Sequence, residues 1–337
     1  MSNMHHAISQ MCADLGNDPL LVQGAGGNVS WKENDTLWIK GSGTWLASAL
    51  NEDIFVPVHL KQLQEELANQ CFDAKPQTVG EHPLRPSIET ILHALMPQHI
   101  VVHLHAVNPL SYLVTKNCED TVRAICRKNG IKGAYVSYHK PGPQLAKAIH
   151  EALKEQPKAN VIFLKNHGIV MGGDSIEEID ALLMLINTAF APRQTAFQES
   201  LIDGEVLSSP IKSYIPFGDK EVQNLAFSTY LLKRLKNDWV LFPDHAVFLG
   251  GSANVFSSWD EFQKQAIDGT TPELIFIENE GVFTSPEFNQ AKTAQLRCYY
   301  DVISRVLPVD ELDPLDELSV LALLDWDAEK HRLRIMK

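Results

Sequence analysis

The sequence is short of the features that mark nucleic-acid, membrane or secreted proteins. Basic residues are scarce: 29 lysines and arginines face 42 acidic side chains, a formal charge of -13. That deficit removes the basic surface needed to bind a phosphate backbone, although one local basic pocket is compatible with it. No nucleic-acid partner is expected. Nor does any apolar run reach the ~20 residues that span a bilayer, and residues 1–16 have neither the basic start nor the apolar centre of a signal peptide. No membrane partner is expected either, and the cytoplasm is the expected compartment. The five cysteines (Cys12, Cys71, Cys118, Cys126 and Cys298) are odd in number, scattered and without a Cys-x-x-Cys pair. They read as reduced thiols, most of them in the core. Dinucleotide fingerprints and P-loops are missing as well, because the glycine loops lack the necessary glycine and lysine spacing.

What is present is an ordinary globular balance, 45% apolar and 21% charged over 337 residues, enough for a large core and two domains. The most informative stretch is 85–108. Ile100-Val101-Val102 reads as a buried strand entering His103-Leu104-His105. Residues i and i+2 of a strand share a face, so both imidazoles can reach one metal ion. A His-x-His pair also occurs without a metal, so its surroundings matter. Before it, the apolar spacing of Ile88, Ile91, Leu92 and Leu95 predicts a helix over 87–96, capped by Ser87 after Pro86, with Glu89 in its first turn. A second apolar strand, 161–164, runs into Asn166-His167-Gly168, where a third imidazole can close the site. Three histidines and an open fourth position make a Lewis-acid centre, and a neighbouring carboxylate can move protons. Nitrogen ligands favour Zn2+, with Mn2+, Co2+ and Fe2+ also compatible.

Along the chain, residues 4–15 carry helical spacing. Two glycine-rich turns follow, Gly24-Ala25-Gly26-Gly27-Asn28-Val29-Ser30 and Gly41-Ser42-Gly43-Thr44, with a short strand at 37–40. Glycines let backbone N–H groups approach an anion, and Asn28, Ser42 and Thr44 add donors; two plain hairpin turns are the alternative. His93 lies four residues after Glu89 on the same helix face, either orienting the glutamate or serving as a hydrogen-bonded structural histidine. Residues 135–143 read as a strand running into a turn that holds Tyr138 and Gly142, and 144–154 as an amphipathic helix. A further helix over 175–190 has Asp174-Ser175 at its start and Glu177-Glu178 in its first turn. Beyond Pro192 the composition is rich in turns.

In type and order, these separated motifs resemble the class II aldolase and adducin family over roughly residues 5–205. The resemblance implies a three-layer α/β/α domain with a mixed central sheet over 1–205, a smaller α/β region over 206–337, and a ring-like homotetramer that the C-terminal region could obstruct. It implies His103, His105 and His167 as metal ligands, with Glu89 as the proton shuttle. Asn28, Ser42, Gly43 and Ser87 would cradle a substrate phosphate. Tyr138, in a Tyr-x-x-x-Gly turn, would be a proton donor reaching a neighbouring subunit's site. The implied reaction makes or breaks a carbon–carbon bond in a ketose or ketose phosphate through a metal-stabilised enediolate. A sugar-phosphate epimerase, a decarboxylase and a non-catalytic adducin-like binding domain are the alternatives. One departure stands out: fuculose-type aldolases have two serines before the glutamate, whereas Ser87 is followed here by Ile88, which cannot donate to a phosphate. Lys32, Lys40 and Lys165 are candidate substitutes as charge partners. Pro86-Ser87-Ile88-Glu89-Thr90 looks closer to the aldolase half of two-domain aldolase/dehydrogenase proteins, although no nicotinamide fingerprint follows.

The C-terminal region echoes the first. Residues 275–283 line up with 162–170, and Asp244-His245-Ala246-Val247 with Leu104-His105-Ala106-Val107, placing Pro243 opposite His103 and Glu280 opposite His167. A degenerate partial repeat or chance similarity of apolar strands accounts for this.

Overall fold

A computed structural model describes residues 3–193, 208–266, 271–327 and 329–330. The chain divides into two compact units, Met1–Pro192 together with Asp325–Lys337, and Arg193–Leu324. The expected boundary at 205 lies outside the described residues.

The first unit opens with α1 (Asn3–Asn17), then β1 (Asn28–Glu33), β2 (Thr36–Lys40), β3 (Phe55–His59), α2 (Leu60–Ala68) and α3 (Thr90–Leu95). It continues through β4 (Ile100–Leu104), α4 (Val107–Leu113), α5 (Cys118–Asn129), β5 (Gly133–Val136), α6 (Pro143–Glu155), β6 (Val161–Leu164), β7 (Gly168–Gly173) and α7 (Ile176–Ala189). Its seven strands form one sheet in the order β3-β2-β1-β4-β7-β6-β5. The sheet is mixed: β5 and β6 run parallel, while the other pairs are antiparallel.

Alternation along the strands separates two packed layers. Val101, Ile162, Leu164 and Val170 face Leu92 and Met96 at α3 and Leu145 and Ile149 of α6. Phe163 points the other way, with its ring 5.0 Å from that of Phe190 at the end of α7, which in turn meets Tyr112 of α4 at 5.4 Å. Helices on both faces explain why β4 is a continuous apolar run rather than an alternating one. Each fully buried Leu, Ile, Val or Phe here contributes on the order of 1.5–3 kcal/mol. The three-layer mixed α/β arrangement expected from the sequence is therefore present.

The helix expected over 87–96 starts later, at Thr90. The Ser87 hydroxyl accepts from the Glu89 N–H at 3.2 Å, and the Ser87 carbonyl accepts from both the N–H and the hydroxyl of Thr90. This local turn competes with the helix and leaves Glu89 at the flanking position instead of in the first turn. At the other end, Lys32 donates its ammonium to the carbonyls of Met96 and Gln98, just beyond the helix, where a cation is favoured.

The second unit contains β8 (Ile215–Pro216), α8 (Lys220–Phe227), α9 (Thr229–Asn237), α10 (Pro243–Leu249), β9 (Val255–Phe256), α11 (Trp259–Ala266), β10 (Leu274–Ile277), β11 (Gly281–Thr284), α12 (Gln290–Ile303) and α13 (Glu317–Leu324). Its sheet runs β8-β11-β10-β9. Tyr214, Phe256, Trp259, Phe262, Ile275, Ile277 and Phe283 make its core. His245 sits inside α10, not after a strand, so it does not occupy the setting of His105; Pro243, as the first residue of α10, rules out a strand end there. Among the described residues, no helix is long and apolar enough to cross a membrane.

Candidate metal centre

Three imidazoles converge at one end of the first unit's sheet. β4 delivers His103 and, one step past its end, His105, with their Nε2 atoms 3.2 Å apart. His167 comes from the turn between β6 and β7, and its ring lies 4.9 Å from that of His103 and 5.3 Å from that of His105. All three are buried, and one ring nitrogen from each lies within 4.8 Å of the others. Two backbone features bring the turn this close. Asn166 adopts a left-handed φ of 52°, and Gly168 lies so near β4 that a Cβ there would meet the Leu104 carbonyl oxygen at 2.3 Å. Gly27 plays the same part behind β4, where a Cβ would stand 2.9 Å from the His103 carbonyl oxygen.

A second layer of hydrogen bonds sets the direction of these groups. His103 donates its Nδ1–H to the Ile169 carbonyl at 3.0 Å, which fixes the tautomer and leaves the Nε2 lone pair facing the cluster. Glu89 lies 3.4 Å from Nε2 of His103 and 3.5 Å from Nε2 of His167. Its Oε2 accepts from Asn28 Nδ2 at 2.8 Å. Asn28 must therefore present Oδ1 to His93, whose Nε2 donates to it, and His93 Nδ1 accepts from the Ser30 hydroxyl at 2.7 Å. The relay Ser30–His93–Asn28–Glu89 requires a neutral imidazole. Burial, with the neighbouring His103 adding to it, holds the pKa of His93 down at about 3. For Glu89, burial pushes upward, but His103, His167, the Asn28 hydrogen bond and His105 outweigh it and bring the carboxyl down to about 2. The glutamate is thus held ionised rather than raised by its burial.

The donor set suits a divalent ion. One nitrogen from each of three buried imidazoles faces a common point beside the Glu89 carboxylate, and a divalent ion bound there would take the rings in their neutral form and replace the His103–His105 contact with two ligand bonds.

Around this centre the glycine-rich loops are tied together by Lys40. Its buried ammonium donates to the Ala25 carbonyl at 3.1 Å and the Thr44 carbonyl at 2.6 Å. A short bridge between Gly41 and Pro86 brings the two segments side by side, with Ser42 N–H donating to the Arg85 carbonyl and Ser87 N–H to the Lys40 carbonyl, and Gly43 follows Ser42 with a left-handed φ of 80°. Asn28, by contrast, has both side-chain polar atoms engaged with Glu89 and His93. Lys32 and Lys40 are likewise directed at backbone carbonyls. Tyr138 follows β5 with its hydroxyl buried, and β5 and β6 pair in parallel at Val136 and Leu164, so Tyr138 and His167 leave the same end of the sheet. The relay through Ser30 and Asn28 was not read from the sequence. The i, i+4 spacing of Glu89 and His93 was its one signal, and the connection turned out to run through β1 rather than along the helix.

Residues 6–193 match the model of the Class II Aldolase and Adducin N-terminal domain. The chain belongs to the class II aldolase and adducin family. The chain is also similar to an uncharacterized oxidoreductase, YuxG, of Bacillus subtilis, 29% identical over 234 residues. That match takes in 63% of this chain but only 30% of YuxG, so this chain spans under a third of its relative's length. Among solved structures, the N-terminal class II aldolase domain of a conserved protein from Thermoplasma acidophilum is 26% identical, with a TM-score of 0.48 over 56% of this chain and 92% of that one. YgbL of Klebsiella pneumoniae, a putative aldolase/epimerase/decarboxylase, is 20% identical, with a TM-score of 0.43 over 55% of this chain and 86% of its own. An L-fuculose 1-phosphate aldolase is 16% identical, with a TM-score of 0.43 over 56% of this chain and 75% of its own.

Proposed function

We propose that this chain is a divalent-metal-dependent lyase that makes or breaks a carbon–carbon bond in a ketose or ketose phosphate. The observation that carries this reading is the convergence of three imidazole nitrogens beside an ionised, hydrogen-bonded glutamate. His103, His105 and His167 hold the ion, with zinc the first choice for an all-nitrogen set. When bound, it supplies a Lewis acid for the substrate's carbonyl and adjacent hydroxyl.

The protein's own groups handle the protons. In the condensing direction, Glu89 takes a proton from the carbon next to the ketone, which the Asn28 bond helps it to reach in a fixed orientation. As the new carbon–carbon bond forms, the aldehyde oxygen receives a proton from the phenol of Tyr138, contributed by a neighbouring copy of the chain. Cleavage reverses both transfers. At the far end of the substrate, the backbone around Ser42 and Gly43 receives a phosphate together with the Ser87 hydroxyl, whose oxygen already accepts from Glu89 N–H and whose hydrogen is left to donate.

The test is elemental analysis of the purified protein beside a His103→Ala/His105→Ala variant, followed by a cleavage assay on ketose 1-phosphates with and without chelator. About one divalent ion per chain, lost in the variant, with chelator-sensitive cleavage is the expected result. A protein that takes up no divalent ion after reconstitution overturns the reading. Metal uptake without cleavage of any ketose phosphate moves it to epimerase or decarboxylase chemistry.

A further inference from the structure

The second unit repeats the connectivity of half of the first. In the first unit, β4, β7, β6 and β5 lie side by side, with β5 parallel to β6 and the other two pairs antiparallel. In the second, β8, β11, β10 and β9 lie in the corresponding order with the corresponding directions. The match extends to single backbone atoms. His103 pairs with Val170, and Pro216 with Phe283; Leu164 pairs with Gly168, and Ile277 with Gly281.

Lys165 N–H donates to Val136 as Glu278 N–H does to Phe256, and Asn166 N–H to Leu113 as Asn279 N–H does to Ala226. Gly172 N–H donates to Asn160 as Ser285 N–H does to Glu273. Asn166 and Asn279 share a left-handed φ, 52° and 58°. Leu104 and Phe217, Leu113 and Ala226, Asn166 and Asn279, and Gly168 and Gly281 are each 113 positions apart. Both hairpins lead to a 14-residue helix, α7 and α12, capped by Ser175 and Asn289, whose side chains accept from the N–H three residues on. The spacing lengthens to 114 at the caps Ser175 and Asn289 and to 120 between Val136 and Phe256, but unrelated α/β units do not share strand order, register, turn and cap and also keep one spacing through the first and last two strands.

We infer that residues 215–303 are a second copy of the half-domain 102–190, with its metal position vacated. Pro216, Gly218 and Glu280 stand where His103, His105 and His167 stand, so the copy keeps the frame of a three-histidine site and none of its ligands. A compensating change marks the loss. In the first unit, the Ile169 carbonyl accepts from His103 Nδ1–H. Its counterpart, the Val282 carbonyl, accepts from Phe217 N–H at 2.8 Å and faces a proline that has no side-chain donor; the side-chain bond comes from Gln223 Nε2 at 3.1 Å, which also donates to the Phe217 carbonyl at 2.6 Å. Gln223 stands where the first unit has Leu110, and its Oε1 also accepts from Val282 N–H at 2.6 Å.

Two experiments on the full chain test this. The first adds Pro216→His, Gly218→His and Glu280→His to the His103→Ala/His105→Ala background and follows Co2+ uptake by its visible absorption and by elemental analysis. Gain of about one Co2+ per chain, with the spectrum of nitrogen-ligated cobalt and none in the background, is expected. A folded variant that takes up none, when the wild-type chain binds Co2+, overturns the inference. Should the wild type bind none, the metal reading of the first unit fails and the second experiment decides alone. It is a double-mutant cycle between Gln223→Leu and Pro216→His, read by thermal unfolding. Gln223→Leu alone is expected to lower the melting temperature by roughly 5 °C, and the loss to shrink when Pro216→His restores a donor to the Val282 carbonyl. Additive effects, or no effect of Gln223→Leu, overturn it.

Discussion

His103 donates its Nδ1–H to the carbonyl of Ile169, two residues beyond His167. One candidate ligand is therefore oriented by the strand that delivers another. Because β4 and β7 pair directly, with His103 opposite Val170, the two rings are brought together by sheet formation itself. Pairing of β4 with β7 thus fixes where both rings stand.

It follows that removing the metal leaves the fold in place and lowers its stability. An ion present at about a thousand times its dissociation constant adds ~4 kcal/mol to the folded state. Chelation is expected to leave the far-ultraviolet circular dichroism unchanged while lowering the melting temperature, and stoichiometric zinc to restore it. A chelated protein that loses its secondary structure would contradict a preassembled site.

Gly168→Ala is expected to cost ~3 kcal/mol or more, since the added carbon would stand 2.3 Å from the Leu104 carbonyl oxygen and neither backbone can yield without parting β4 from β7. Metal content should fall with it, because the shift moves His167 away from His103 and His105. Urea unfolding and elemental analysis of the same sample measure both effects. Gly80→Ala is a suitable control, having nothing within 4 Å of the added carbon, although its φ of +79° makes it mildly strained.

The ligands were legible in the sequence because their spacing is local: His-x-His on a strand, and a histidine in an Asn-His-Gly turn at the end of another. The strands β4 and β6 were legible for the same reason, as apolar runs ended by polar or glycine residues. What was not legible depended on partners distant in sequence. Asn28 looked like a loop donor because nothing near it in the chain shows that β1 pairs with β4 and turns its side chain toward Glu89. The start of α3 was misplaced because Ser87 satisfies its neighbours' N–H groups in a turn, a competition that residue type alone does not decide. His245 resembles a strand-end ligand from three matching letters, His-Ala-Val, whereas Pro243 begins a helix there.

His93→Ala is expected to separate positioning from folding. It removes the partner of both Asn28 Oδ1 and the Ser30 hydroxyl and opens a buried space, at ~2–4 kcal/mol. With Asn28 free to turn its amide, Glu89 loses its fixed orientation while the three ligands stay. The turnover number is then expected to fall at least tenfold with metal content unchanged, and His93→Gln, which keeps a donor, to recover part of it. Equal turnover in wild type and His93→Ala would remove the relay from the account.

Acid stability should report the second unit through His245. The ring is fully buried against Trp239 and Tyr299, at centroid distances of 4.2 and 4.7 Å, and its Nδ1 accepts from Leu241 N–H. Burial lowers its pKa from 6.5 to about 3. Below pH 6.5 the unfolded chain binds a proton that the folded chain refuses, so stability falls as pH falls, by up to ~1.4 kcal/mol per pH unit until about pH 3. His245→Gln has no proton to gain and can keep an acceptor for Leu241 N–H, so its urea-unfolding free energy should decline less steeply across that window by one proton's worth. His93, held down at about 3 in the same way, contributes a like slope from the first unit and is untouched by the change. Parallel slopes for wild type and His245→Gln would mean that the imidazole gains its proton without unfolding, and that the interior around Trp239 admits a charge.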